Sequence, residues 1–172
     1  AMLENPRGEK VTTAALAAKL GVSEAALYRH FASKAQMFEG LIEFIETTLF
    51  SFVNRITAET TDGVAQAEQA VVMLLSFAEK NPGMTRVLIG EALVNEDERL
   101  QARINQLVDK LEAALRQSLR IAQAANGWHG DAQADAAVLI AYVLGRWQLY
   151  AKSGFKRTPQ DGWALQRKFL FG

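Results

Sequence analysis

The stretch Val11-Thr12-Thr13-Ala14-Ala15-Leu16-Ala17-Ala18-Lys19-Leu20-Gly21-Val22-Ser23-Glu24-Ala25-Ala26-Leu27-Tyr28-Arg29-His30-Phe31 decides the fold. It reads as a helix, a tight turn and a second helix. Thr12 or Thr13 is placed to N-cap the first helix, with Leu16 and Leu20 inward and small Ala17 permitting a close crossing. Gly21 suits the positive φ that ends that helix, Val22 fills the corner, and Ser23 N-caps the second helix. Leu27 and Phe31, four apart, form the buried face of the second helix. That leaves Glu24, Ala25, Ala26, Tyr28, Arg29 and His30 outward on a short helix with an unobstructed N-terminal half, a shape that suits the major groove of DNA. A merely packing helical hairpin would show a Glu/Lys surface; this one shows small, aromatic and basic groups, with Lys34 next. Thr13, Tyr28 and Lys34 are donors for phosphates, Ala25 and Ala26 suit a thymine methyl, and Arg29 suits a guanine edge. With Thr12, Ser23 and His30 these make the expected DNA-contacting set.

Charge supports that reading locally and not globally. The chain of 172 residues has 19 basic and 19 acidic side chains, yet residues 7–34 carry a net +3 and the rest −3. A composition of 49% hydrophobic and 22% charged residues with 12 Gly and 3 Pro excludes disordered and collagen-like classes. No uncharged run exceeds ten residues, whereas a membrane helix needs about 20 mostly apolar residues. Zero cysteines remove disulfides, thiolate catalysis and Cys-ligated metals, and the absence of a signal-peptide pattern fits a cytoplasmic expectation.

Apolar residues recur at spacings of three and four throughout, so the chain reads as all-α. Turn signals at Asn5-Pro6-Arg7-Gly8, Gly21-Val22-Ser23, Thr60-Thr61-Asp62-Gly63, Asn81-Pro82-Gly83, Asn126-Gly127-Trp128-His129-Gly130, Ser153-Gly154 and Thr158-Pro159 divide it. The predicted helices are Thr13–Leu20, Glu24–Phe31, Lys34–Ala58, Gly63–Lys80, Pro82–Val94, Asp97–Ala125, Asp131–Lys152 and Gln160–Phe171. Ala1-Met2-Leu3-Glu4 reads as the tail of a helix that begins outside this sequence. The expected organisation is a helix-turn-helix DNA-binding domain at 1–34 and a helical dimerisation and partner-binding domain at 35–172.

In the long helix from Lys34, residues Phe38, Leu41, Ile42, Ile45, Leu49, Phe52, Val53 and Ile56 form one core stripe. Phe44 and Met37 lie about a third of a turn off it. Phe44 therefore either packs under the DNA-binding unit or forms one wall of a peptide groove. The following helix is apolar nearly all round, which predicts a central, buried position, and one side still shows Ser76, Lys80 and Asn81. The run Val138 to Tyr150 is apolar on every face, with Gly145 in mid-helix. Together with Trp163, Leu165, Phe169 and Leu170 it predicts a dimer interface, with Tyr142, Gly145, Trp147, Leu149 and Phe169 as its candidate residues.

Only two histidines occur, His30 and His129, neither with a carboxylate at ligand spacing, and there is no Gly-rich phosphate loop. The sequence predicts no catalytic site, no metal and no cofactor.

Thr-Thr-Ala-Ala-Leu-Ala…Leu-Gly-Val-Ser…Leu-Tyr-Arg-His-Phe-Ala-Ser-Lys resembles the DNA-binding signature of TetR-family regulators, which implies a dimer on palindromic DNA. Leu41-Ile-Glu-Phe-Ile-Glu46, Glu79-Lys-Asn-Pro-Gly-Met-Thr-Arg86 and Arg103-Ile-Asn-Gln-Leu107 narrow the resemblance to the nucleoid-occlusion branch of that family. That resemblance implies a nucleoid-associated homodimer which, on chromosomal palindromes, captures the C-terminal tail of the division GTPase FtsZ and blocks septum assembly. It places the tail groove between the two helices spanning Lys34–Ala58 and Gly63–Lys80. Phe44 and Asn81 match the pattern, Met73 and Lys80 are chemically similar counterparts, and Ser76 replaces a smaller residue. Phe52 stands where that pattern can carry a basic residue. The rival reading is a TetR-type repressor gated by a small effector, which needs a cavity of about 300–1,000 Å3 with converging polar groups. The bulky Val, Met, Leu and Phe side chains of the central helix favour a packed interior instead.

Overall fold

The computed structural model describes residues 12–172, without the side chains of Leu16 and Lys19. The expectations placed on the first eleven residues, the helix tail and the turn at Asn5-Pro6-Arg7-Gly8, and the inward role of Leu16 lie outside the described residues. Among the described residues the chain is all-helical: α1 (Thr13–Leu20), α2 (Glu24–His30), α3 (Lys34–Glu59), α4 (Gly63–Lys80), α5 (Pro82–Leu88), a 3-10 turn (Glu91–Leu93), α6 (Glu98–Ala124), α7 (Ala132–Lys152) and α8 (Trp163–Phe171).

Capping chemistry sets the helix starts. Ser33 Oγ accepts from the Gln36 N–H while the Gln36 side chain accepts from the Ala32 N–H, a near-reciprocal cap on α3. Asp62, Asp97 and Asp131 cap α4, α6 and α7 by accepting from N–H groups of the first turn. Two predicted spans change. The helix expected over Pro82–Val94 stops at Leu88, because Gly90 adopts φ +79° and only the 3-10 turn follows. The last helix begins at Trp163 rather than Gln160, after Gly162 at φ +75°.

α4 is the hub, packed against α3, α5, α6 and α7. Ala67, Val71, Leu74, Leu75 and Ala78 are buried there, as the all-round apolar pattern predicted. The Trp147 indole Nε1 donates to the Leu74 carbonyl at 3.0 Å and the Tyr150 hydroxyl to the Glu79 carbonyl at 3.0 Å, tying α7 to α4. α6 runs parallel to α3, with Arg103 donating to the Glu39 carbonyl and Lys110 paired with Glu46. α7 then returns along α6. The stripe of α3 is narrower than predicted: Phe38, Ile42, Ile45, Leu49 and Val53 are buried, whereas Phe52 is exposed because it lies about 100° round the helix from Val53.

Gly63 sits where α4 crosses α6. A Cβ there would lie 2.2 Å from the Ser118 carbonyl oxygen and 2.5 Å from the Ala122 nitrogen, both backbone atoms. Gly63→Ala should therefore destabilise the protein by about 1–3 kcal/mol, read as a lower midpoint in urea denaturation. α8 is held by a two-point pair, Arg167 Nε and Nη2 to the Glu68 carboxylate at 2.7 Å each. The hydrogen bonds from Arg167 and then its charge outweigh burial and hold Glu68 below the usual carboxylate range. The pair's stabilisation is fully present above the ordinary glutamate value of about 4.3 and is lost as pH falls through the lowered native value. Glu68→Gln should flatten this part of the acid limb of a melting-temperature profile taken from about pH 6 to about pH 3.

Candidate nucleic-acid interface and peptide groove

The helix-turn-helix is built locally. Thr12, not Thr13, caps α1, its Oγ1 accepting from the Ala15 N–H at 3.2 Å. Gly21 takes φ +69°, and the Gly21 and Val22 N–H groups close the end of α1 onto the Ala18 and Ala17 carbonyls. Ser23 Oγ accepts from the Ala26 N–H at 3.0 Å, so this residue starts α2. Ala17 and Leu27 are buried in the crossing. Three expectations fail here. Leu20 is 60% exposed, Val22 is exposed, and Phe31 is the extended C-cap of α2 rather than part of its buried face. With α2 ending at His30, Phe31 is carried off the Leu27 side and approaches Gly40 of α3 instead.

Ala25, Tyr28, Arg29 and His30 are exposed on α2, while Ala26 is half-buried. The Tyr28 hydroxyl lies 3.4 Å from Thr13 Oγ1, joining two of the expected phosphate donors across the turn. Lys34 is different. Its ammonium is paired with Glu96 in the loop before α6 and lies 5.9 Å from the Phe38 ring, so it serves first as a tie between the helix-turn-helix and the body. Arg99 and Glu39 add an ion pair in the same region.

The five residues assigned to the tail groove come together. Phe44, Met73, Ser76, Lys80 and Asn81 line one groove of about 330 Å3 between α3 and α4, along with Thr48, Phe52 and Phe77. Phe44 is 55% exposed there. Asn81 Nδ2 donates to the Phe77 carbonyl at 2.8 Å, which leaves its amide oxygen as the available acceptor. Lys80 is exposed and makes no ion pair among the described residues. Sequence reasoning missed Thr48 and misassigned Phe52 to the core. The signal was present: Phe44, Thr48 and Phe52 follow one another at steps of four, which keeps them on one helix face.

The expected dimer set divides. Trp147 is wholly buried inside the chain and belongs to its core, since its indole is consumed by α4. Tyr142 is half-buried, its hydroxyl donating to Gln166 of α8 at 2.6 Å, and Leu149 is half-buried. Gly145 and Phe169 are open: a Cβ on Gly145 would meet nothing within 4 Å, and Phe169 is 90% exposed. Ala134, Val138, Ala141 and Gly145 form one exposed small-residue face of α7 at steps of three and four, and Leu165 is 70% exposed on α8.

A second groove of about 560 Å3 lies between α5, α6 and α7, lined partly by Gln101, Asn105 and Gln148. Gln101 already donates to Asn105 at 2.9 Å. The buried polar side chains Gln66, Thr85, Arg86 and Ser118 are likewise engaged by the chain's own groups. Among the described residues no cluster of His, Asp and Glu could hold a metal ion, and no helix is long and apolar enough to cross a membrane.

Comparison with known proteins decides the family. Residues 8–41 match the family described as bacterial regulatory proteins, tetR family, and residues 61–172 match the SlmA-like family described as tetracyclin repressor-like, C-terminal domain. The chain belongs to the SlmA-like branch of the TetR family. It is 49% identical over 162 residues to the nucleoid occlusion factor SlmA of Alteromonas mediterranea, covering 93% of this chain and 83% of that protein. It is 48% identical over 171 residues to that of Shewanella pealeana, covering 98% and 87%, and 43% identical over 171 residues to that of Colwellia psychrerythraea, covering 98% and 86%. The chain is therefore a TetR-like DNA-binding protein, of a family of bacterial regulatory proteins.

Because Lys34 and Glu96 are both largely shielded, with side chains 21% and 13% exposed, removing one strands the other. Lys34→Ala should lower folding stability by about 1–3 kcal/mol, measured by thermal or urea denaturation without DNA.

Proposed function

We propose that the chain is a nucleoid-occlusion factor: a cytoplasmic, nucleoid-associated homodimer that binds palindromic chromosomal sites through α2 and holds the C-terminal tail of FtsZ between α3 and α4, inhibiting ring assembly over the nucleoid. The observation that carries it is the convergence of Phe44, Met73, Ser76, Lys80 and Asn81 on one groove. An exposed Phe beside an ammonium and an amide oxygen that are without partners among the described residues suits an apolar, acidic peptide. The exposed Ala25, Tyr28, Arg29 and His30, on a helix whose N-terminus Ser23 caps, provide the readout of the duplex. Thr12 and Ser23 act by capping, Thr13 and Tyr28 reach phosphates, and Lys34 contributes once it is released from Glu96.

The homodimer reading rests on the exposed face of α7 and α8. Gly145, unhindered within one chain, permits a second helix to approach closely, and Val138, Leu165 and Phe169 would be covered by the partner's equivalents. Phe169→Asp combined with Val138→Asp should convert a dimer to monomers in sedimentation velocity, and a dimer that persists unchanged would overturn this interface.

The groove is tested by fluorescence anisotropy of a labelled FtsZ tail peptide titrated with the dimer, with and without palindromic DNA. Saturable binding that Phe44→Ala reduces at least about tenfold is the expected result. DNA binding without peptide binding at high micromolar protein would remove the division role and return the chain to the repressor reading. The effector for that reading would then be sought at the groove lined by Gln101, Asn105 and Gln148.

A further inference from the structure

The groove does not end at Phe52. A second hollow of about 570 Å3 continues along α3 and α4, shares Phe52, Met73 and Ser76 with the first, and is lined further by Arg55, Ile56, Glu59, Glu68 and Gln69. One trough thus runs from Lys80 and Asn81 past Phe44, Thr48 and Phe52 to Arg55 and Glu59. Arg55 lies eleven residues after Phe44, which returns it to within about 20° of the same helix face. It is exposed and makes no ion pair among the described residues, just like Lys80 at the other end. Glu68, on the α4 side of the trough, already accepts from Arg167 Nε and Nη2 at both of its carboxylate oxygens.

We infer that Arg55 is a second cationic contact for the peptide held in this groove, so that the peptide is read at two acidic positions with an apolar segment between them. The rise of α3 from the level of Phe44 to Arg55 is about 16 Å, and an extended chain advances about 3.3 Å per residue. With Lys80 taken at the level of Phe44, with which it lines one groove, the two acidic residues should stand about five positions apart in the peptide. Glu59, one turn beyond Arg55, adds a direction. The groove presents a cation, an apolar floor, a second cation and then an anion, and it fits a peptide ordered acidic, apolar, acidic, basic in that spatial sense. Phe52 supplies the floor between the charges; Arg55, one helical turn on, supplies the charge.

This inference rests on the peptide-binding reading above, and the test separates the two. The labelled FtsZ tail peptide is titrated with the full chain carrying Arg55→Glu, Lys80→Glu or, as a control with equal charge change, Arg120→Glu on α6, whose side chain lines neither hollow. Peptides in which each Asp or Glu is replaced in turn by Asn or Gln are run alongside. The expected result is binding about tenfold weaker for Arg55→Glu and for Lys80→Glu, unchanged for Arg120→Glu, with melting temperatures preserved. One acidic peptide position should lose its effect in the Arg55→Glu background and a different one in the Lys80→Glu background. Binding to the unaltered chain that Phe44→Ala abolishes but Arg55→Glu leaves intact would overturn this inference and spare the peptide-binding reading. No binding to the unaltered chain would overturn both.

Discussion

α4 is apolar on nearly every side, and a helix of that kind has to be enclosed. α6 and α7 cover it, α5 closes its C-terminal end, and α3 lies along what remains. The enclosure is directional as well as apolar: the indole of Trp147 donates to the Leu74 carbonyl within α4, and the hydroxyl of Tyr150 to the Glu79 carbonyl in its last turn. Gly63 allows the closest approach, at the crossing with α6. Once α4 is held this way, its position relative to α3 is no longer adjustable, and the cleft between them becomes a fixed feature of the surface.

That cleft exists because the two helices are amphipathic to different degrees. α3 buries a narrow seam of Phe38, Ile42, Ile45, Leu49 and Val53, and the aromatics flanking it, Phe44 and Phe52, stay outside. α4 contributes Met73 and Ser76, which are too far round to be covered by α3 and too near to be fully solvated. The result is an apolar trough between two packed helices, with Lys80 and Arg55 towards its ends.

The helix-turn-helix stands in a different relation to the core. Its own crossing buries only Ala17 and Leu27 among the described side chains, too little for independent stability. It is tied to the body where α3 begins: Lys34 pairs with Glu96, and Glu39 with Arg99, both reaching the loop and helix that follow the 3-10 turn. These pairs join the start of α3 to the segment between α5 and α6.

The helical class, most element boundaries, the helix-turn-helix and the central place of α4 were legible in the sequence. Each follows from local chemistry: periodicity, capping residues, and glycines where φ turns positive. The convergence of Phe44 with Met73, Ser76, Lys80 and Asn81 came from resemblance and not from spacing, because no local rule relates residues on two helices. Phe31, the end of α5 and the start of α8 turned on local backbone geometry, whereas other residues were decided by contacts distant in the chain. The sequence offers Lys34 as a phosphate donor, and it does not show the second partner, Glu96, sixty-two residues on. Trp147 looked like interface, but it is wholly buried and its indole N–H donates to the Leu74 carbonyl. Phe52 looked like core because a seam read from one helix does not show how wide the partner helices are. Local propensity is written along the chain, but whether an apolar or charged side chain is covered depends on what the rest of the chain brings to it, and only the tertiary packing decides that.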